Sequence, residues 1–240
     1  MVERAEGSGV SRILTVGLDE DSNREAISIS RAHDGVFAAV GRHPNSAAGF
    51  DAKAEADLLQ LASDPEVKAI GETGLDFYRD RASRDDQVAA FRAQMRVARE
   101  VSKPLVIHMR SGEGAGNDAV ADSFALLASE AEGLKVVLHC FSAPPERVAE
   151  AVANGWFCSF AGNVTYPKAE ALRDAARLVP DELILVETDA PFLAPQSRRG
   201  KPNEPAFVVE TAREVAAARG TEPAALESLV TRNAERAFGW

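Results

Sequence analysis

Apolar residues in this chain fall in short continuous runs, separated by stretches in which they recur every three or four positions. The runs are Arg12–Leu18, Val36–Val40, Val67–Glu72, Pro104–His108, Lys135–His139, Trp156–Phe160 and Leu183–Glu187. They are mostly continuous Val, Ile, Leu, Ala or Phe, as expected for strands covered on both faces. Between them the pattern predicts helices at Ser22–His33, Asp85–Val101, Pro145–Asn154 and Lys168–Leu178, then near Glu204–Ala218 and Pro223–Ala237. Within Asp85–Val101, Val88, Phe91, Met95 and either Ala98 or Val101 form the apolar stripe.

Strand–helix alternation implies a parallel sheet, because parallel neighbours need a crossover connection. A doubly wound sheet and a (β/α)₈ barrel both satisfy this order. Polar and ionisable residues close the runs at Glu72, His108, His139, Asn163 and Asp189. Strand ends of that kind meet at one mouth in a barrel, where its chemistry is done. The turn Gly17-Leu18-Asp19-Glu20 lacks the glycine pattern of a dinucleotide binder. The expected fold is therefore α/β, a TIM (β/α)₈-type barrel with its first β-strand missing from the chain. A barrel needs eight strands, and Val2–Gly9 reads as the tail of a helix and a turn leading into the first apolar run. No long linker, repeat or low-complexity tract interrupts the pattern, so residues 1–240 are expected to form a single domain.

Composition narrows the class. With 45% apolar and 27% charged residues the chain is not disordered. No apolar run approaches the roughly 18 residues of a membrane span. The opening Met1–Glu6 has no signal-peptide core, and Cys140 and Cys158 cannot form a disulfide scaffold. A cytoplasmic protein with no membrane association and no obligate protein partner is expected. The net charge of −10 argues against an architectural nucleic-acid binder. An enzyme meeting phosphates through a metal and a few local arginines remains compatible with it.

Only His33, His43, His108 and His139 can supply imidazole. A single histidine at a strand end is ordinarily a satisfied structural residue. His108 and His139 stand at equivalent ends of two strands, accompanied by Glu72 and Asp189, and that set suits a divalent metal. Glu187 and Asp189, two apart, would face the same side of their strand. Glycines bracket Glu72 in Gly71-Glu72-Thr73-Gly74-Leu75-Asp76 and permit close backbone approach. Gly17, Gly41 and Gly162 read as turn formers. Of the local cations Arg79, Arg81, Arg84, Arg110, Arg198, Arg199 and Lys201, most read as solvated loop charges, and Arg110 as a phosphate contact. Cys140 and Cys158 read as buried and non-nucleophilic, and His33 as a helix-end residue.

These residues resemble the TatD-type metal-dependent deoxyribonucleases of the amidohydrolase-like TIM barrels. The likeness is carried by Val40-Gly41-Arg42-His43-Pro44, Gly71 to Asp76, Pro104 to His108, His139-Cys140-Phe141-Ser142 and Glu187-Thr188-Asp189-Ala190-Pro191. Gly200-Lys201-Pro202-Asn203-Glu204-Pro205 and Arg232-Asn233-Ala234 extend it to the end of the chain. The resemblance implies hydrolysis of DNA phosphodiesters, 3′–5′ exonuclease-like, dependent on divalent metal ions, Mg²⁺ in the first place with Mn²⁺ or Zn²⁺ as alternatives. It implies metal ligands Glu72, His108, His139 and Asp189. Glu72 would bridge, and Glu72 and Asp189 would act in catalysis, Asp189 orienting the attacking water. Arg110, His43 and Asn203 would lie on the substrate side. The family's opening strand ends in a His-x-His pair that supplies two further ligands, and nothing before His33 matches it. A complete site would hold two ions and this chain one, with activity impaired. Two other readings stay open: a D-aminoacyl-tRNA deacylase or other ester or amide hydrolase of the same barrels, and an inactive paralogue acting as a binding protein.

Overall fold

A computed structural model describes residues 1–79 and 81–240. Seven strands appear among them: β1 (Ile13–Val16), β2 (Val36–Val40), β3 (Val67–Asp76), β4 (Leu105–Arg110), β5 (Val136–Leu138), β6 (Phe157–Phe160) and β7 (Ile184–Val186). They form one sheet in the order of the sequence, with parallel pairing at β2–β3, β3–β4 and β6–β7. This is the connectivity of a TIM-type α/β fold, as the alternation of runs and stripes predicts. The helices are α1 (Val2–Glu6), α2 (Glu20–Ala32), α3 (Ala52–Ala62), α4 (Arg84–Val101), α5 (Ala119–Glu130), α6 (Val148–Ala153), α7 (Glu170–Leu178), α8 (Val208–Arg219) and α9 (Pro223–Phe238). By contacts the chain divides into two compact units, Leu14–Val137 and Met1–Ile13 with Leu138–Trp240.

In the unit of Leu14–Val137, α2 starts on a reciprocal cap. Asp19 accepts from the Ser22 amide at 3.0 Å while Ser22 Oγ accepts from the Asp19 amide at 3.0 Å. Its buried face is Asn23, Ala26, Ile27 and Ser30, the three-and-four spacing of a core-facing helix. Helix α4 is capped by Ser83 and stopped at Ser102, which takes the left-handed conformation at φ 54°. Its buried face differs from the predicted stripe: it runs through Gln87, Ala90, Phe91, Gln94, Met95 and Ala98, and Val88 is only half-buried. Two glutamines thus occupy the core side, and both serve the backbone at strand ends.

Strand β3 also runs further than predicted, past Glu72 to Asp76. Its register with β4 is Ile70 opposite Leu105, then shifts before Thr73 meets Ile107 and Gly74 meets His108. An irregularity of this kind re-aims side chains, and Gly71 and Glu72 lie within it. The glycines do permit close approach: at φ +135°, Gly74 sits where a Cβ would lie 2.1 Å from the His108 carbonyl oxygen. Gly17, Gly41 and Gly162 are not mere turn formers. A Cβ at Gly41 would come within 2.6 Å of the Gly71 carbonyl carbon, at Gly17 within 2.2 Å of Asn23 Oδ1, and at Gly162 within 2.2 Å of the Leu193 carbonyl oxygen.

In the other unit, β6 and β7 pair Cys158 with Ile184, Ser159 with Leu185 and Phe160 with Val186. The Phe141 amide donates to the Ser159 carbonyl at 2.8 Å, and the Phe141 ring packs on Phe160 at a centroid distance of 5.8 Å. Asn233 of α9 donates from one amide nitrogen to the Asp181 and Ile184 carbonyls at 2.6 and 2.8 Å.

Candidate metal centre

Each unit carries one strand-end histidine flanked by carboxylates. In the unit of Leu14–Val137 the histidine is His108. Its Nδ1 lies 2.6 Å from Glu72 Oε1, and its Nε2 lies 3.4 Å from Asp76 Oδ2. The irregular register of β3 lets two carboxylates four residues apart reach opposite edges of one imidazole. Asp76 is 1% exposed and firmly held. Its Oδ1 accepts from the Tyr78 and Arg79 amides at 2.9 Å each, and its Oδ2 from Asn45 Nδ2 at 2.9 Å. Burial alone would raise the Asp76 pKa, but hydrogen bonds from His108, the Arg79 amide and Asn45 outweigh it and hold the carboxyl far below the usual range.

His43 joins this group. Its ring meets that of His108 edge-on at 4.5 Å, and one donor atom each from His43, Glu72 and His108 lie within 4.8 Å of one another. Three such donors suit a divalent cation, with carboxylate and imidazole both present. The fit is better for Glu72 and His108 than for His43. The His43 Nδ1 accepts the Asn45 amide at 3.0 Å, so the neutral ring carries its proton on Nε2, which lies 3.9 Å from Glu72 Oε1. A ring in that tautomer donates a hydrogen bond more readily than it binds a metal.

Buried side-chain amides fix the backbone around these residues. Gln94 accepts the Arg42 amide at 2.7 Å and donates to the Arg42 carbonyl at 3.0 Å and to Thr73 Oγ1 at 2.6 Å. Gln87 accepts the Asp76 amide at 2.8 Å and donates to the Asp76 carbonyl at 3.0 Å. Asn23 pairs both ways with the Gly41 backbone at 2.9 Å. Sequence reasoning missed Asn23, Gln87 and Gln94. The available signal was a polar residue recurring on a helical stripe that otherwise faces the core.

In the other unit, His139 Nδ1 lies 2.8 Å from Glu187 Oε1 and its Nε2 lies 3.6 Å from Asp189 Oδ1. Glu187 and Asp189 do address one group, but not through strand alternation. Strand β7 ends at Val186, and Asp189 turns back at φ 56°. Asn203 is 3% exposed and donates to the Thr188 and Phe192 carbonyls at 2.7 Å each, so it staples the segment that carries Asp189. Cys140 follows β5 at φ 46° and is half-buried; Cys158 is fully buried, and burial pushes its thiol pKa up to about 12.

Of the remaining candidates, Arg110 lies exposed at the end of β4 with its guanidinium 3.9 Å above the Tyr78 ring. Arg84 is structural: it donates to the Gly116 carbonyl at 2.6 Å and stacks on Phe77 at 4.1 Å. Arg198 pairs with Glu210 at 2.9 Å and Arg199 stacks on Tyr166 at 4.2 Å. His33 ends α2, as its place before Asp34-Gly35 suggested. Among the described residues, no helix is long and apolar enough to cross a membrane.

Parallel strands whose ends carry histidine–carboxylate groups define a class: the metal-dependent hydrolases built on TIM-type α/β sheets. Comparison with known proteins narrows this to a family. The family model described as TatD related DNase matches residues 1–239, and the chain belongs to the TatD family. It is 34% identical over 239 residues to the uncharacterized metal-dependent hydrolase YabD of Bacillus subtilis, covering 99% of this chain and 91% of that protein. It is also 34% identical over 245 residues to the 3′-5′ ssDNA/RNA exonuclease TatD of Escherichia fergusonii, covering 100% of this chain and 92% of that protein. The crystal structure of the TatD homologue YjjV of Escherichia coli superposes with a TM-score of 0.89 at 23% identity, covering 99% of this chain and 90% of that one. That likeness speaks for the fold.

Proposed function

We propose that this chain hydrolyses phosphodiester bonds of single-stranded DNA from the 3′ end, using divalent metal held by Glu72, His108, His139 and Asp189. The observation that carries the reading is the pairing of each strand-end histidine with a carboxylate, His108 with Glu72 at 2.6 Å and His139 with Asp189 at 3.6 Å. Mixed imidazole and carboxylate donors accept Mg²⁺, Mn²⁺ or Zn²⁺, and Mg²⁺ is the ion proposed. When bound, the metal would polarise a phosphoryl oxygen and acidify the water that attacks it.

The other roles fall to the chain itself. The Asp189 carboxylate takes the proton from the attacking water. His43 donates from Nε2 to a phosphate oxygen, in keeping with the Asn45 amide on its Nδ1. Arg110 balances phosphate charge locally, which a protein of net charge −10 needs. Tyr78, 56% exposed beneath that guanidinium, offers a ring on which an unpaired base can stack. Nucleic acid as the substrate is supported by the exonuclease named among the relatives.

The test is a 3′-labelled and a 5′-labelled single-stranded oligonucleotide incubated with Mg²⁺, beside a D-aminoacyl-tRNA. Release of labelled mononucleotide from the 3′ end, abolished by chelator and by Glu72→Gln, is expected. Turnover of the aminoacyl ester without DNA cleavage would overturn the assignment in favour of a deacylase. Undiminished cleavage by the Glu72→Gln variant would overturn the placing of the metal.

A further inference from the structure

Glu187 is not among the ligands of the proposed hydrolase, yet it lies nearer to His139 than Asp189 does. Its Oε1 lies 2.8 Å from His139 Nδ1 and also accepts the Cys140 amide at 3.0 Å. Its own amide donates to the Phe160 carbonyl at 2.9 Å, extending the β6–β7 pairing by one bond. The carboxylate is thus anchored at both ends, to the sheet through its backbone and to the turn at Cys140 through its oxygen. Asp189 differs. It lies two residues on, past the strand at φ 56°, with its side chain 27% exposed and 3.6 Å from the opposite nitrogen of the same ring.

We infer that Glu187 is a positioning residue for His139: it holds the proton on Nδ1 and so presents the Nε2 lone pair, beside Asp189, to the metal. The inference rests on the hydrolase reading above and deepens it. An imidazole can ligate only through a deprotonated nitrogen, and the hydrogen bond made by the other nitrogen decides which one that is. A carboxylate in that place also fixes the ring plane and makes the ligating nitrogen more basic. Asp189 cannot take over the task, because it stands on the Nε2 side. The Cys140 amide matters to the arrangement, since it fixes Glu187 Oε1 without occupying the ring. Asn203 supports the other half, holding the Thr188 and Phe192 carbonyls on either side of Asp189.

The experiment reads tautomer and metal affinity, not turnover. Histidine ring ¹⁵N shifts of the metal-free protein are recorded above the imidazole titration, at about pH 8.5. Protonation of His139 at Nδ1 is the expected result, and a proton on Nε2 overturns the inference. In Glu187→Ala, His139 is expected to lose its Nδ1–H preference, and Mn²⁺ affinity measured by calorimetry to fall about 10–100-fold. A folded Glu187→Ala protein that binds Mn²⁺ like the wild type overturns the role. Glu187→Gln keeps an acceptor on the same atom and decides the matter if the alanine variant fails to fold. A fall in Mn²⁺ affinity or a loss of the Nδ1–H preference on removing the charge supports the inference, and wild-type affinity with an unchanged tautomer overturns it. A wild-type protein that binds no Mn²⁺ refutes the metalloenzyme reading itself, whereas normal binding with Nε2-protonated His139 refutes only the role of Glu187.

Discussion

Replacing Gln94 by leucine tests how the candidate site is held. The two side chains are close in volume, so the change removes hydrogen bonds and leaves little cavity. Gln94 is 0% exposed, and its amide serves the Arg42 N–H, the Arg42 carbonyl and the Thr73 hydroxyl. The Thr73 hydroxyl accepts from Gln94 and keeps its own O–H free to donate when that donor is lost; the two Arg42 backbone groups have no such second role. Leaving two such groups unpaired costs about 2–6 kcal/mol, at about 1–3 kcal/mol each. The gain from burying an apolar side chain in place of an amide returns about 1–2 kcal/mol. A net loss of about 3 kcal/mol is expected, a large share of the 5–15 kcal/mol that typically holds a domain together. For a chain of this size that lowers Tm by about 6–12 °C. Urea unfolding of the metal-free protein measures the loss, and amide hydrogen exchange at Arg42 localises it. A change below about 1 kcal/mol, with Arg42 exchange unaltered, would refute the claim that this amide holds the β2 end.

Three further outcomes follow from the same geometry. Gly74→Ala places a methyl 2.1 Å from the His108 carbonyl oxygen, so β3 and β4 must separate there; Mn²⁺ affinity and Tm are both expected to fall, and unchanged values would show the contact to be relieved cheaply. Asp19→Ala removes the α2 cap at a cost of about 1 kcal/mol. Hydrogen bonds from Ser22 lower the folded-state pKa of Asp19, so this contribution is complete above the unfolded value near 3.8 and disappears as the pH falls through the lower folded value; the wild-type and variant urea midpoints should converge in acid. Cys158, with its thiol pushed up to about 12 by burial, should resist iodoacetamide at neutral pH until the protein is unfolded, and labelling of the native protein at Cys158 would contradict its packing.

Strand order and the chemistry of the strand ends were legible in the sequence because both depend on local composition. Val36–Val40 is a strand over the whole predicted span, and the other runs are strands within a few residues of it. Such a run reports burial on both faces in β5 and β6, but not in β1, where Ile13 and Leu14 are half-buried and Val16 is exposed. The end of β3 was not legible. Predicted to stop at Glu72, the strand continues to Asp76 because Gly71 and Gly74 let it shift register against β4 without a steric clash. That continuation brings in Asp76, a carboxylate that no spacing rule connects to His108. His43 was placed near the site only by the family resemblance, and its tautomer was not legible, since it is set by the amide of Asn45 and no side-chain pattern encodes a backbone hydrogen bond.

The stripe predicted for α4 held at Phe91, Met95 and Ala98 and missed its polar members for a more general reason. Periodicity counts apolar residues, and it selected Val88 while the buried face held Gln87 and Gln94. A parallel sheet with polar strand ends has a problem that apolar packing cannot solve. The Gly41, Arg42 and Asp76 backbone groups lie beyond the β2–β3 pairing, which ends at Val40 and Ile70, and each needs a partner. Only a side chain that both donates and accepts can serve an N–H and a C=O of the same residue, and amides do so. Asn23 serves Gly41, Gln94 serves Arg42 and Gln87 serves Asp76. Gln87 and Gln94 are two turns apart on one helix, and the residues they hold are Arg42, beside His43, and Asp76 itself. A pair of amide side chains seven residues apart on an otherwise apolar helix face is therefore a sequence signal for strand ends that carry chemistry, and it points to the site from the residues that never touch it.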